Sequence, residues 1–304
     1  MNKKTRNADK PFYSGFAAII GMPNVGKSTL LNAMAGQKVA IISDKPQTTR
    51  NKILGIYNSD NEQIIFVDTP GIHKPHNRLG EYMVNITQES MRDTDVLLFM
   101  VDAARKIQDM EREIAKNISK LNIPCILVIN KVDMVRKEEL LPLIADYSSI
   151  HDFDAVVPIS AKKNDGIELL LNDIREYLPE GPKFFYDDMV TDQPEKQIAA
   201  EIIREKILWL LDKEVPHGIA VEIERMKEAQ KITSIHAVIY CEKATHKGIL
   251  IGKNGEMLKK IGSMARQDIE KMVGKKVYLE LWVRVKTDWR NNNHLIKNFG
   301  FTNE

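Results

Sequence analysis

The stretch Gly21-Met22-Pro23-Asn24-Val25-Gly26-Lys27-Ser28 decides the fold. It completes the spacing G-x-x-x-x-G-K-[ST], with an apolar run at 16–20 before it and the helix-compatible Thr29-Leu30-Leu31-Asn32-Ala33-Met34 after it. Glycines let a loop close tightly around phosphate, and consecutive backbone N–H groups with a helix N-terminus supply positive potential. Lys27 adds a full charge for β- and γ-phosphates. The Ser28 hydroxyl can ligate Mg2+. A chance glycine turn has no reason to stand between a strand and a helix, so Gly21, Asn24, Val25, Gly26, Lys27, Ser28 and Thr29 are candidates for nucleotide binding.

Outward from this loop, short runs rich in Ile, Val and Phe recur at 64–67, 96–101, 125–129 and 156–159, with helical stretches between them. Continuous apolar runs suit strands buried on both faces of a mostly parallel sheet, joined by helical crossovers, which gives an α/β doubly wound domain. Three of these runs end in polar motifs. Asp68-Thr69-Pro70-Gly71 fits D-x-x-G, in which Asp68 orients metal-bound water and Gly71 offers its N–H to a γ-phosphate. Asn130-Lys131-Val132-Asp133 and Ser160-Ala161-Lys162 address a base. The Asp133 carboxylate accepts from guanine N1–H and N2–H, a donor pair adenine lacks on that edge. Asn130 supports the loop and base, Ala161 offers its N–H to the guanine O6, and the Lys131 stem covers the ring. Each tetrapeptide alone is common; four in order, each at a strand end, are not chance.

Residues 16–178 therefore resemble a translation-factor-type small GTPase domain. The resemblance implies a Thr reaching the metal and γ-phosphate from Gln47-Thr48-Thr49-Arg50, without deciding between Thr48 and Thr49. It also implies switches over about 38–53 and 68–85. Lys27, Thr48, Thr49, Asp68 and Gly71 form the expected catalytic set, and Ser28, Thr48, Thr49 and Asp68 the expected Mg2+ ligands. Ras-like enzymes carry a water-positioning Gln after the D-x-x-G glycine. Here that position is Ile72, which can neither orient nor deprotonate water, so slow intrinsic hydrolysis of GTP to GDP is expected. His73 reads as an exposed switch histidine.

At 304 residues the chain suggests two domains, and Pro179-Glu180-Gly181-Pro182 marks the break. The reading divides it into a polar tail at 1–13, a GTPase domain at 14–180, a linker at 181–197 and a second domain at 198–304. Ile198, Ile202, Ile203, Ile207, Leu208 and Leu211 form one helical face, and alternating strands at 219–223 and 232–240 follow. A short helix near Gly248, a helix over about 256–273 and a strand at 277–285 complete an α-β-β-α-α-β order. Gly252-Lys253-Asn254-Gly255 falls between the second and third helices. G-x-x-G alone also fits an ordinary helix corner, but in this order the segment resembles an α+β type II KH domain, an RNA-binding fold. Ile251, Gly252, Lys253, Asn254, Gly255, Lys259, Lys260, Lys275, Lys276 and Arg284 are the candidate RNA contacts. Of the tryptophans that could stack on bases, Trp282, on the strand, is assigned to the core, and Trp289 stays a candidate.

Overall charge is uninformative, at +2 from 44 basic and 42 acidic residues. It conceals a tract from 243 to 297 with 13 Lys or Arg against 5 Asp or Glu. Beside G-x-x-G this tract reads as a phosphate-tracking groove. With 43% hydrophobic and 28% charged residues, the composition excludes disordered, collagenous and disulfide-scaffold classes. Cys125 and Cys241 lack partners at metal-ligand spacing and read as buried free thiols. No apolar run is long enough to span a membrane, and a cytoplasmic location is expected.

A GTPase domain followed by a type II KH domain is the plan of a family of bacterial ribosome-assembly GTPases. The stretches 46–50, 68–73, Glu214-Val215-Pro216-His217-Gly218 and Leu281-Trp282-Val283-Arg284-Val285-Lys286 carry that resemblance. It implies recognition of the 3′ end of 16S rRNA, a role in assembly of the 30S subunit, peripheral contact with the inner membrane, and a monomer with GTP as its one small-molecule substrate. The rival reading is a GTPase in RNA modification or membrane-linked signalling whose second domain docks a protein.

Overall fold

The computed structural model describes residues 11–213 and 215–301. Most of the polar tail, Glu214 of the 214–218 stretch and residues 302–304 lie outside that set. The first unit runs β1 (Tyr13–Ile20), α1 (Lys27–Ala35), β2 (Ile53–Asn58), β3 (Glu62–Asp68), α2 (Arg78–Arg92), β4 (Val96–Asp102), α3 (Asp109–Ile118), β5 (Cys125–Asn130), α4 (Lys137–Ser148), β6 (Ala155–Pro158) and α5 (Ile167–Arg175). Its sheet has the order β2-β3-β1-β4-β5-β6. Only the β2–β3 pairing is antiparallel.

The apolar runs are continuous because each strand serves two cores. On β4, Val96, Leu98 and Met100 face the core closed by Leu30, Leu31 and Met34 of α1 and Leu170, Leu171 and Ile174 of α5. Leu97, Phe99 and Val101 face the opposite core with Ile114 and Ile118 of α3 and Tyr147 of α4. This period-2 division puts every β4 side chain out of water. The sequence reading missed β2. Gly55 interrupts its apolar run, and a Cβ there would sit 2.5 Å from Leu31 Cδ1, so any larger residue would have to push that side chain aside.

The segment after α5 is held to the sheet rather than free. Ser14 N–H donates to Pro179 O at 3.1 Å and Gly181 N–H to Phe12 O at 3.0 Å. Farther on, the Phe184 and Phe185 amides both donate to Gln63 Oε1, and Ile56 N–H donates to Val190 O at 2.9 Å.

The second unit runs α6 (Glu195–Leu210), β7 (Ile219–Glu228), β8 (Ile232–Cys241), α7 (Ala244–Ile251), α8 (Glu256–Val273) and β9 (Lys276–Val285). This is the expected α-β-β-α-α-β order. β7 and β8 pair antiparallel and β8 and β9 parallel. A 3-10 turn at Trp289–Asn291 and α9 (Asn293–Asn298), which the sequence reading did not anticipate, fold back over the sheet. There Trp289, Ile296 and Phe301 pack with Val238 and Tyr240 and with Leu79 and Met83 of α2, so one apolar cluster joins the two units. No helix among the described residues is long and apolar enough to cross a membrane.

Candidate functional site

The loop between β1 and α1 takes the conformation its glycines permit. Gly21 and Gly26 have φ of 150° and 109°. A Cβ would fall 2.3 Å from Met100 O at the first and 2.3 Å from Asn130 Nδ2 at the second. No side chain caps the N-terminus of α1 and no acidic residue lies in its first turn, so its amides are left for an anion. Lys27 is 6% exposed, and its Nζ donates to the carbonyls of Gly21 at 3.2 Å and Met22 at 3.0 Å. Burial lowers its pKa to about 8, against the opposing pull of Asp68. Asn24, Thr29, Gly71, Gln47, Thr48 and Thr49 line the same cavity.

Three oxygens converge beside it. The Ser28 hydroxyl donates to Asp68 Oδ2 at 2.7 Å, Thr49 Oγ1 lies 2.9 Å from Ser28 Oγ, and it also donates to Asp68 Oδ2 at 3.3 Å. The Thr48 hydroxyl, in the same cavity, donates instead to Lys45 O at 2.6 Å. Of the two threonines left open by sequence, only Thr49 has its hydroxyl against Ser28 and Asp68. Asp68 is fully buried, its Oδ1 has no partner, and burial raises its pKa. An unpartnered buried carboxylate oxygen beside two hydroxyls is a donor set suited to Mg2+, a hard ion usually held by one or two carboxylates together with substrate phosphates.

The base-side motifs interlock with the phosphate loop. Asn130 is 3% exposed; its Nδ2 donates to Val25 O at 2.7 Å and its Oδ1 accepts from Ala161 N–H at 3.0 Å. Both ends of Asn130 are thus spent on bracing, and the Ala161 amide expected at the guanine O6 is directed to Asn130. Lys131 Nζ bridges Asn24 O at 2.8 Å and Asp102 Oδ2 at 2.7 Å, which extends its stem across the site. Asp133 accepts from Ser160 Oγ at 2.7 Å, and this bond holds its carboxyl below the usual range. Lys162 is exposed.

The first switch is clamped by the second unit. Arg204 on α6 donates to Thr48 O. Arg50, 2% exposed, donates to Ile219 O at 2.6 Å and to His217 O at 2.9 Å. Glu205 Oε1 accepts from Ile42 N–H at 3.0 Å, and its Oε2 pairs with Lys38 at 2.6 Å and Lys206 at 2.7 Å. Lys206 reaches Asp268 of α8 at 2.5 Å, and its Nζ lies 3.8 Å from the Trp209 ring centre. The sequence reading missed these residues. The signal was present: Arg204-Glu205-Lys206 interrupts the apolar face of α6, yet all three are 1% exposed.

The G-x-x-G turn has positive φ at Gly252, Asn254 and Gly255. A Cβ on Gly252 would lie 2.7 Å from that of Met257. From this turn a groove runs between α8 and β9, lined by Gly255, Leu258, Lys259, Gly262, Ser263, Arg266, Leu279 and Leu281.

Two family models match the chain: one described as 50S ribosome-binding GTPase over residues 16–131, and the KH domain over 214–290. GTPase Era of Ruminiclostridium cellulolyticum is 53% identical over 291 residues, covering 95% of this chain and 98% of that protein. GTPase Era of Clostridioides difficile is 51% identical over 296 residues, covering 96% and 100%. Two solved structures superpose with TM-scores of 0.93. One is a tyrosine-to-alanine variant of Aquifex aeolicus Era bound to GDP and AlF4−, 44% identical and covering 96% of this chain and 100% of that one. The other is Era in complex with MgGDPNP and nucleotides 1506–1542 of 16S ribosomal RNA, 45% identical and covering 96% and 99%. The chain belongs to the Era family of GTPases.

Several expectations for an Era-type site need correction. Trp289 is fully buried, its Nε1–H donating to Gly218 O at 2.9 Å, whereas Trp282 is 57% exposed. Strand alternation explains the reversal: Val277, Leu279, Leu281 and Val283 face the helices, which turns Trp282 and Arg284 to the other side of the sheet. Arg284 is therefore not in the groove and pairs with Glu224 at 2.7 Å. Lys275 pairs with Glu228, and Lys276 lies 3.6 Å from Glu270. Both sit past the far end of α8, roughly 27 Å along the helix from the G-x-x-G turn. Ile251, Lys253, Asn254 and Lys260 remain at the turn or in the first part of α8. His73 is half-buried between the switches rather than exposed.

Proposed function

We propose that this chain is a slow, Mg2+-dependent GTPase that binds the 3′ end of 16S rRNA through its KH groove and acts as a nucleotide-switched factor in 30S subunit assembly. Ser28, Thr49 and Asp68 would hold the ion, which supplies charge neutralisation across the β- and γ-phosphates. Lys27 and the uncapped amides of α1 bind the same phosphates, and Asp133 selects guanine. Hydrolysis is slow because Ile72 points away from the phosphates: its side chain packs on the α3–α4 side of the sheet while its N–H donates to Gly21 O at 3.1 Å.

The observation that carries the switch is the run Thr48-Thr49-Arg50. Thr49 Oγ1 belongs to the metal-ligand cluster, while the residues on either side bond the RNA-binding unit through Arg204 and through the carbonyls of Ile219 and His217. Ordering Thr49 on a γ-phosphate therefore fixes the two anchors of the KH unit, and loss of that phosphate releases them. The RNA part of the reading is supported by the relative solved with 16S rRNA nucleotides and by charge. Lys243, Lys247, Lys253, Lys259, Lys260 and Arg266 form no ion pair among the described residues and are spread over α7, the G-x-x-G turn and α8, while Lys286 and Lys297 farther along are unpaired as well. We further propose a monomer in the cytoplasm with peripheral contact with the inner membrane, which cell fractionation would check.

The test is crosslinking and sequencing of RNA bound in cells, with affinities then measured for the recovered segment. The expected segment is the 3′ end of 16S rRNA, held more tightly with a non-hydrolysable GTP analogue than with GDP. Equal affinity in the two states would refute the switch. Recovery of no ribosomal RNA would refute the partner.

A further inference from the structure

We infer that Gln47, in the first switch, is the catalytic residue that orients the attacking water, and that His73 holds it in place. Ile72 leaves the usual position for this task without a polar group, so the site needs one from elsewhere. Gln47 lines the phosphate cavity together with Lys27, Thr49 and Gly71. Its backbone is left-handed, with φ of 59°, a conformation that non-glycine residues adopt at a cost and that collects at functional sites.

The proton pattern fixes which end of the Gln47 amide meets His73. His73 Nδ1 lies 2.9 Å from Gly71 O, a carbonyl that can only accept, so Nδ1 carries the hydrogen. In the neutral ring His73 Nε2 must then accept, and Gln47 Nε2, at 3.2 Å, donates to it. Gln47 Oε1 is left with no hydrogen bond among the described residues. On a side chain that lines the phosphate cavity, this unused acceptor is available to a water there, and the side chain is held by a tie from one switch to the other.

The reaction balances without a protein base. The water oxygen bonds to the γ-phosphorus while the bond from that phosphorus to the β–γ bridging oxygen breaks, and the electron pair leaves with GDP. One water proton passes to a γ-phosphate oxygen, and inorganic phosphate departs. Gln47 takes no proton; accepting a hydrogen bond from the water, it fixes the direction of the oxygen lone pair. His73 touches neither water nor substrate and is a positioning residue.

The experiment uses the full chain with Gln47→Ala, His73→Ala and the double variant. Three quantities are read: single-turnover hydrolysis, affinity for a non-hydrolysable GTP analogue, and affinity for GDP with aluminium fluoride, which mimics the transferring phosphoryl group. Gln47→Ala is expected to slow hydrolysis about 100-fold, to leave analogue affinity within about twofold, and to weaken the aluminium fluoride complex by a factor comparable to the rate loss. His73→Ala should lose less, and the double variant should be no slower than Gln47→Ala, since the two act as one unit. The inference fails if Gln47→Ala turns over at the wild-type rate. It fails also if analogue affinity falls as far as the rate, which would make Gln47 a mere brace, or if the two losses multiply. The proposal rests on the slow-hydrolysis reading: a wild-type chain with no turnover would sink that reading, whereas an active wild type with an indifferent Gln47 sinks only this one.

Discussion

Arg50→Lys should uncouple RNA binding from the nucleotide without damaging either site. The guanidinium holds two carbonyls at once, Ile219 O at 2.6 Å and His217 O at 2.9 Å, from a position 2% exposed. A lysine keeps the charge but presents a single point donor that cannot span both. Burial, with repulsion from Arg204, pushes the Arg50 pKa down to about 9. Lysine still carries that cost of a buried charge, so what the substitution removes is one of the two bonds, and only from states in which the switch is docked. Losing one charge-assisted bond removes about 1.5 kcal/mol from the docked state, close to a tenfold change in an equilibrium constant. The assay is fluorescence anisotropy with a labelled oligonucleotide from the 3′ end of 16S rRNA, titrated in a GTP analogue and in GDP, with nucleotide affinity measured with and without RNA. The ratio of RNA affinities between the two states should fall about tenfold, up to the full wild-type coupling, and the nucleotide ratio must fall by the same factor. Were the two RNA affinities to keep their wild-type ratio in Arg50→Lys, the clamp would not be the transmission path.

Thr49→Ala should abolish Mg2+-dependent discrimination between GTP and GDP while Thr48→Ala retains it, as nucleotide titrations with and without Mg2+ would show; equal effects would undo the assignment drawn from the Ser28–Thr49–Asp68 cluster. Asp133→Asn should weaken GTP and favour xanthosine triphosphate, whose C2 carbonyl needs a donor, and competition binding will show no exchange of preference if Asp133 is merely structural. Gly252→Asp with Lys253→Asp should cost RNA binding at least tenfold and leave GTP affinity unchanged, because the turn lies outside the nucleotide cavity. For pH, the Lys27 pKa of about 8 lies below the unfolded value of 10.5, so the unfolded chain holds more protons between them and the nucleotide-free fold gains stability as pH rises through that window. Binding a triphosphate restores the charge, so affinity should fall as pH rises through about 8, with proton uptake visible by calorimetry in two buffers of different ionisation enthalpy.

The phosphate loop was legible because its chemistry is local: Gly21, Gly26, Lys27 and Ser28 act within eight residues, and the steric demand on each glycine is met by a neighbouring strand. Thr48 and Thr49 could not be separated that way. They are adjacent and chemically identical, and only the return of Thr48 Oγ1 to Lys45 O leaves Thr49 as the hydroxyl beside Ser28 and Asp68. Asn130 braces the phosphate loop against the Ser160-Ala161 turn, and its two hydrogen bonds reach residues 105 and 31 positions away, which no window of sequence displays. The tryptophans failed for a plainer reason. A residue on a strand between apolar neighbours looks buried, yet Leu281 and Val283 take the helix side and Trp282 must take the other. Trp289, beyond the strand in a polar stretch, is buried because α9 and Phe301 close over it.

Charge shows why the same sequence can be read correctly at the level of a domain and wrongly at the level of residues. The basic tract at 243–297 pointed to an RNA face, but its far half is answered by acids from elsewhere. Glu228 and Glu224 on β7 take Lys275 and Arg284, Glu270 takes Lys276, and Glu242 takes Arg290. Cations already paired at these distances have less to gain from a phosphate, since they would exchange one partner for another. Six of the eight unpaired ones lie at α7, the G-x-x-G turn and α8, where Gly252 and Gly255 also let the backbone come close, and two, Lys286 and Lys297, lie beyond β9. Unpaired positive charge is thus concentrated along the side of the fold that carries the G-x-x-G turn. At its opposite end α8 carries Asp268, which Lys206 ties to the helix clamping the first switch. One helix of 18 residues therefore runs from the G-x-x-G turn to Asp268 and its tie to α6, and the pairing of Lys271 with Asp268 leaves fewer charges at that end for a phosphate.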